Sequence, residues 1–442
     1  MASDLLSIAA SGARAARAAL DVTAQNIANA SSDGYVRRSA RMEEVSAAGG
    51  QGRIGDISLS GARVSGIHRN ADMFRQAEVR RTGSDLARAD AELGGLENIE
   101  SAVEQSGLYD SIVEFEAALQ QLASDPTNSS LRSAVLAGAD TLANKFNIAV
   151  DSLGAAGDGL RFDANAATDE ANVLGQEIAR VNLRLSRAGE GSSDRATLLD
   201  QRDSLLERMS GITDIATSFA PDGAVTVTTG GATLVQGGNF TPMSMATATD
   251  GTISFAVGGT VVQPSGGALA GAALALESVA QVRGRLDTLA DGIASAVNAA
   301  QASGVGLDGT AGQPIFGGTG AAGIKVVMTG SDGIATAPAG APANSNDGSN
   351  LAALRQALEN GGVAGSANAL LFDVSSAVAG KRVTRDALDA IASSARISLE
   401  QQAGVDLDTE AANLMRFQQA FQASGRAMQV ASDIFQSLLQ LR

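Results

Sequence analysis

The sequence predicts a mainly α protein with inserted β structure: paired N- and C-terminal coiled-coil helices, an elongated helical bundle domain and a small inserted β domain. Three observations carry this reading. Narrow seams spaced alternately by three and four residues occupy both ends of the chain. Helical stripes fill much of the interior, and residues 212–265 switch to period two. At 442 residues the chain is long enough for several domains with sizeable cores.

Residues 4–29 read as a helix whose seam runs through Leu6, Ala9, Ala13, Ala16, Leu20, Thr23 and Ile27. The C-terminal stretch mirrors it with Leu407, Ala411, Leu414, Gln418, Phe421, Gly425, Met428, Ser432, Phe435 and Leu439, and Asp406 and Asp408 are available as N-caps. A seam of about two residues in seven buries too little area per turn to hold a lone helix in water, so each end needs a partner. Bringing the two ends together meets that need, with residues 1–42 and 403–442 forming one terminal coiled-coil domain. An ordinary buried core stripe is the competing reading of the same pattern.

Residues 43–85 form a strand-rich connector, with short alternating runs at Ile57 and Leu59 and then at Val64 and Ile67. A helical domain is expected over residues 86–211 together with 266–402. Leu108, Ile112, Phe115, Leu119 and Leu122 form one stripe, which Asp125 and Pro126 break; Val135, Leu142 and Phe146 resume after a cap region at Asn128 to Ser130. Leu174, Ile178, Val181 and Leu185 form the next stripe, and after Gly189 and Gly191 a helix opening at Ser193 carries Leu198, Leu205 and Met209. The inserted β domain is placed at residues 212–265, on Val225 and Val227 after the turn Pro221-Asp222-Gly223, and on Ile253, Phe255 and Val257 before Gly258-Gly259. Residues 303–350 are a Gly-, Pro-, Asn- and Ser-rich section of loops and strands.

Composition excludes several kinds of chemistry. A formal net charge of -16 is a poor match for phosphate backbones, so nucleic acid is not an expected partner. The absence of Cys removes disulfides, thiolate metal sites and Cys nucleophiles. Three per cent aromatics argues against a sugar cleft served by paired carboxylates. No run approaches the length of about 18 apolar residues that a membrane span requires, and the short run Leu5 to Ala10 has no preceding basic residue, so neither a span nor a cleaved signal is expected.

The remaining motifs have structural readings. Gly318, Gly320 and Gly323 have the spacing of a dinucleotide loop, but Ile324-Lys325-Val326-Val327-Met328 follows as a strand pattern rather than a helix, which favours a glycine loop. Asp406, Asp408 and Glu410 fall short of an oxygen cage for a metal and suit the start of a helix. His68 is the sole histidine and has no nucleophile elbow to serve. Hence no catalytic residue, metal site or cofactor is expected.

The segment Asn26-Ile27-Ala28-Asn29-Ala30-Ser31-Ser32-Asp33-Gly34-Tyr35 resembles the N-terminal signature of the flagellar rod, hook and hook-associated axial proteins. Ser31, Ser32 and Asp33 stand where that family has Asn, Thr and Pro, leaving the turn to Gly34. The C-terminal stretch Val405 to Ser424, with Asn413, Phe417, Gln418, Ala420, Gln422 and Ala423, is similar to the family's closing helix. In the middle, Ser124-Asp125-Pro126, Leu131-Arg132-Ser133 and Leu142-Ala143-Asn144-Lys145-Phe146-Asn147 look like the helical domain of hook-associated members, as do Gly267 to Gly271, Leu286 to Ala290, Val297-Asn298 and Ile315-Phe316. The resemblance implies a structural role at the junction of hook and filament, outside the cell, after export without a cleaved signal. It also implies packing among copies as a ring or helical oligomer, contact with hook protein below and a third hook-associated protein above, and an export chaperone on the C-terminal helix. A hook or distal-rod protein with an enlarged helical domain, or a secreted enzyme or adhesin on the same scaffold, is the alternative.

Overall fold

Alanine and unbranched residues dominate the first seamed stretch, which forms α1 (Ala2–Ala28) in a computed structural model that describes residues 2–32, 34–44 and 61–440. A hairpin follows, β1 (Arg38–Glu44) antiparallel to β2 (Ala62–Arg69), with Arg38 opposite Arg69. Ile57 and Leu59 lie outside the described residues. The helices α2 (Met73–Ser106), α3 (Leu108–Ser124), α4 (Ser129–Leu185) and α5 (Ser193–Ile212) come next. Their ends are set locally. Gly107 adopts φ +64°, which breaks α2 from α3; Asn128 Oδ1 accepts the N–H groups of Ser130 and Leu131 at the start of α4; Ser192 Oγ accepts that of Arg195 at the start of α5.

The period-two region contains β3 (Ala216–Phe219), β4 (Val225–Thr229), β5 (Ala232–Gln236), β6 (Asn239–Phe240), β7 (Met243–Thr247), β8 (Ile253–Val257) and β9 (Thr260–Val262). Then come α6 (Gly267–Ala302), β10 (Gly304–Val305), β11 (Phe316–Gly317), the single turn α7 (Gly320–Gly323), β12 (Lys325–Val326) and β13 (Ala337–Pro338). The chain finishes in α8 (Ser349–Asn360), α9 (Val363–Ala403) and α10 (Leu407–Gln440), the last capped by Asp406 Oδ1 on the Thr409 N–H at 2.9 Å. The architecture is therefore mainly α with inserted β structure between paired terminal helices. By length and composition, one helix within Ser349–Ser437 is apolar enough to cross a membrane, where no such stretch was expected. Alanine-rich sequence lifts its hydropathy without a long run of large residues, and Leu370, Val374 and Val378 of α9 are buried in the core.

The chain separates into two units, one of residues 1–84, 171–243 and 389–442, the other of residues 85–170 and 244–388. This division differs from the expected one. Residues 212–265 do not make a single inserted domain: β3–β4–β5–β6 form a four-stranded sheet in the first unit, and β7–β8–β9 form a three-stranded sheet that belongs, after Met243, to the second. The reason is where each sheet finds its polar partners. Arg202 of α5 donates to Gly223 O, and Thr213 bonds Thr229, in the first unit. Arg161 of α4 donates to Gly251 O in the second.

The second unit holds the large apolar core. Leu108, Ile112, Phe115, Leu119 and Leu122 of α3 are buried together with Val135, Leu142 and Phe146 of α4, as their stripes predict. Residues 303–350 extend this core, with Ile315, Phe316, Ile324 and Ile334 buried in it and Phe316 edge-on to Phe115 at 6.0 Å. Arg132 holds that irregular segment from inside: fully buried, it donates to the carbonyls of Pro126 and Ile334 and to Thr336 Oγ1. The glycine spacing at 318, 320 and 323 leads into a single turn. Its first amides are already taken, Gly320 N–H by Asp291 and Ala321 N–H by Asp287, each at 2.7 Å, so two carboxylates occupy the place a phosphate would need.

Strands meet helices here through one repeated device. Asn26 of α1 accepts the N–H of Arg38 and donates to its C=O, at 3.0 and 2.8 Å. Asn172 does the same for Met243, at 2.8 and 2.9 Å. Asn182 accepts from Val225 N–H and donates to Val225 O and Gly237 O, all at 2.8 Å. Asn298 of α6 pairs with Phe316 at 3.1 and 2.7 Å. A carboxamide is chemically a peptide group, so each Asn completes the backbone pairing of one strand residue where a helix has no free backbone group to offer.

A charged lattice joins the hairpin to α5. Arg38 Nη2 lies 2.6 Å from Asp200 Oδ2, and Arg69 Nη2 lies 2.7 Å from Asp200 Oδ1 and 2.9 Å from Asp203 Oδ2. Arg202 holds the other oxygen of Asp203 at 2.6 Å. Two arginines directly opposite on a hairpin repel, so this pairing depends on the carboxylates one helical turn apart on α5. Burial pushes the Asp200 carboxyl up despite Arg69 and Arg38. Burial pushes Asp203 the same way, but Arg202 and Arg69 outweigh it and hold that group below the usual carboxylate range.

Two outcomes are expected. Asn182→Asp keeps the acceptor but turns a carboxylate toward two carbonyls, and should cost about 2 kcal/mol or more, whereas a surface Asn→Asp change should cost next to nothing; thermal melting of the two variants checks this. Asp203→Asn should cost about 3 kcal/mol at pH 7, because it strands Arg69 and Arg202. Since Asp203 is depressed in the folded state, its contribution is present above the ordinary Asp range and lost as pH falls through its lowered value. The gap between wild type and Asp203→Asn in urea titrations should therefore close in acid.

Candidate assembly interface

The two seamed helices run antiparallel: Gly12 of α1 sits by Ser424 of α10, while Asn26, further along α1, meets Glu410 near the start of α10. Small residues line the contact. A Cβ built on Gly12 would lie 3.1 Å from Ser424 Oγ, and Ala9, Ala13, Ala16 and Ala431 are buried. A second buried line on α1, including Ala15, Ala19 and Val22, lies on the helix that also packs against β1 and β2.

One end of the pair is closed by a polar clamp. Glu410, only 1% exposed, receives Arg37 Nε at 2.7 Å and Asn26 Nδ2 at 3.1 Å. The Tyr35 hydroxyl donates to Asn26 Oδ1 at 2.9 Å, and the Arg38 guanidinium lies 5.0 Å from the Tyr35 ring centre. Burial raises the Tyr35 pKa, against the pull of Arg38 and with Asp200 and Glu410 adding to the rise, so the hydroxyl stays a donor. Gly34 turns the chain into this clamp at φ +74°. Further bonds tie the same region to the C-terminal helices: Arg37 N–H to Ala403 O at 2.9 Å and Asn70 Nδ2 to Gln402 O at 2.6 Å.

The expected seam is realised in part within the single chain. Leu20, Ile27, Leu414 and Met428 are half-buried, but Leu6 is 45%, Leu407 54%, Phe421 43% and Phe435 52% exposed. The Leu439 side chain lies outside the described residues. The face of α10 turned to α1 is instead centred on Glu410, Asn413, Phe417, Ser424 and Ala431, which are buried or half-buried. Phe421 and Phe435 lie on or beside that same face, about one and about five helical turns beyond Phe417, so their exposure falls along the seam and not on the far side of the helix. Of the signature residues, Asn26 is buried and Asn29 and Tyr35 are half-buried, whereas Ala28, Gln418, Ala420, Gln422 and Ala423 are exposed.

The acidic trio at the start of α10 does not converge on a metal. Asp406 caps the helix, Asp408 is exposed and Glu410 is buried in the clamp, and the described residues contain no group of His, Cys, Asp and Glu that could hold a metal. His68 sits exposed on β2. Reading the sequence alone missed the partners that matter: Glu410 as a clamp rather than a dipole complement, and Arg37, Arg38, Arg69, Asp200 and Asp203. The available signal was the Arg37-Arg38 pair directly after the Tyr35 turn, cations in a segment that must pack.

Comparison with known proteins agrees with this geometry. A model of the helical domain of the flagellar hook-associated protein FlgK matches residues 93–316, a model of the flagellar basal body rod protein matches residues 6–35, and one of the C-terminal region of rod FlgEFG proteins matches residues 400–441. Flagellar hook-associated protein 1 of Salmonella typhimurium is 28% identical over 335 residues, covering 71% of this chain and 59% of the relative. The Escherichia coli protein of the same name is 29% identical over 242 residues, covering 53% of this chain and 43% of the relative. Among solved structures, the flagellar hook junction protein FlgK from Burkholderia pseudomallei shares the fold with a TM-score of 0.62 at 15% identity, over 74% of this chain and 100% of that one. The chain thus spans 59% of the first of these curated relatives and 43% of the second, while the helical-domain model alone accounts for about half of the chain itself; on that match, between ends shared with rod proteins, the chain belongs to the FlgK family of flagellar hook-associated proteins.

Proposed function

We propose that this chain is a structural component of the bacterial flagellum that joins hook to filament, and that it has no catalytic role. The carrying observation is the terminal pair: α1 and α10 are clamped together, yet α10 presents Phe421, Val430, Ile434 and Phe435 with 42–58% of each side chain exposed. Phe421 and Phe435 lie along the seam side of α10 and Val430 and Ile434 on the opposite side, and large apolar side chains exposed on two sides of a helix that is already paired call for cover from neighbouring subunits. Copies of the chain in a ring or helical array supply that cover, with hook protein below and the third hook-associated protein above. Before assembly these exposed side chains of α10 are what an export chaperone shields. The subunit leaves the cell by the flagellar export route and is placed at the hook tip, where it buffers the mismatch between a bending hook and a stiffer filament.

Deleting the gene should give cells with intact hooks, no filaments and flagellin released into the medium, as seen by electron microscopy. Loss of the hook itself would instead support a hook or distal-rod protein, whose end segments this chain shares. Phe421→Ala should cost the isolated subunit about 1 kcal/mol or less, because the ring is half uncovered there, while swimming is lost. Full-length filaments at normal efficiency in Phe421→Ala cells would remove this face from the assembly contact.

A further inference from the structure

We infer that the cavity walled by β2, α5 and the turn between β3 and β4 receives an acidic peptide segment, binding one carboxylate together with a large apolar side chain next to it. The cavity has a volume of about 640 Å³ and lies wholly within the first unit. The charges buried beside it do not balance. Arg38, Arg69 and Arg202, each with less than a tenth of its side chain exposed, set three guanidiniums against the two carboxylates of Asp200 and Asp203. Beyond them Arg80 and Glu207 add one charge of each sign. The Nε atoms of Arg38 and Arg69 are buried without an acceptor among the described residues. A buried surplus of one cation is costly unless an anion answers it, and Arg69 and Arg202 both line the cavity.

Arg195 extends the same sign along α5. Among the described residues its guanidinium makes one bond, to Pro221 O at 3.3 Å, and no ion pair, so most of its fork is free for a carboxylate. With Arg41 the lining holds four arginines against Glu43 and Glu190. In a chain of net charge -16 such a concavity selects an anion.

The rest of the wall selects the kind of anion. Ile67, Leu199 and Phe219 give it an apolar side, with the Arg202 guanidinium 4.5 Å from the centre of the Phe219 ring. Glu43 and Glu190 repel a multiply charged phosphate more than a single carboxylate. The volume suits an organic group rather than a bare ion. A protein meets all three conditions with an Asp or Glu next to a large aliphatic or aromatic residue. None of the lining residues belongs to α1 or α10, so the site does not depend on the flagellar role.

The full chain can be titrated in a calorimeter with three end-capped peptides, Leu-Asp-Leu, Leu-Asn-Leu and Ser-Asp-Ser. Leu-Asp-Leu should bind with a Kd on the order of 0.1–1 mM, and an excess of inorganic phosphate should not displace it. The Asn and Ser peptides should each bind about tenfold more weakly. Arg195→Gln, at a side chain with little to lose, should weaken Leu-Asp-Leu about tenfold with unchanged circular dichroism. Leu199→Glu builds a carboxylate into the cavity, four positions after Arg195 and three before Arg202. It should abolish binding and melt higher than Leu199→Gln, because the surplus is then answered from within. Equal binding of Leu-Asp-Leu and Leu-Asn-Leu, displacement by phosphate, or no binding at all overturns the inference; Leu199→Glu melting below Leu199→Gln removes the charge surplus on which it stands.

Discussion

The structure depends on one closure: α1 and α10, hundreds of residues apart in the chain, lie antiparallel and are locked by a buried carboxylate. Glu410 accepts from Asn26 and Arg37 while almost wholly removed from water. A buried charge of this kind is tolerated only when it is paired and hydrogen-bonded on several sides, so the clamp accepts one register of the two helices and penalises the others. Everything between residues 28 and 407 is an excursion that must begin and end at this point. The lattice of Arg38, Arg69, Asp200 and Asp203 repeats the logic one step further out, turning a repulsive cross-strand pair into a joint with α5.

A chain so poor in aromatics and so rich in alanine has little large apolar surface with which to weld strands onto helices. The asparagines at 26, 172, 182 and 298 take over that task by direct amide-to-backbone pairing. The solution is geometric rather than greasy: it costs no volume, satisfies both backbone groups of one strand residue, and places each small sheet at a defined point along a helix.

α1 and α10 approach through Ala, Gly and Ser, and large side chains of α10, among them Phe421 and Phe435 on the seam side and Val430 and Ile434 on the opposite side, stay exposed. A protein built this way carries its assembly potential as exposed side chains and needs control over when they meet.

Much of this was legible in the sequence. Periodicity alone marked the helices, because residues such as Leu108, Ile112, Phe115, Leu119 and Leu122 recur at a spacing that only one face of a helix satisfies, and those residues are the core. The pairing of the two ends followed from the narrowness of their seams, and the family from the residues around Asn26 and Asn413. Periodicity could not say which flank of a seam would face inward. That was decided in three dimensions, where Glu410, Asn413, Phe417, Ser424 and Ala431 are buried or half-buried while Phe421 and Phe435 stay exposed. Nor could spacing reveal that Glu410 serves residues 26 and 37, or that Asp200 and Asp203 serve a hairpin more than a hundred positions earlier. Local pattern reports which residues share a face; only the closed chain decides which faces meet, because a polar partner is chosen by distance in space and by the cost of leaving a buried charge alone.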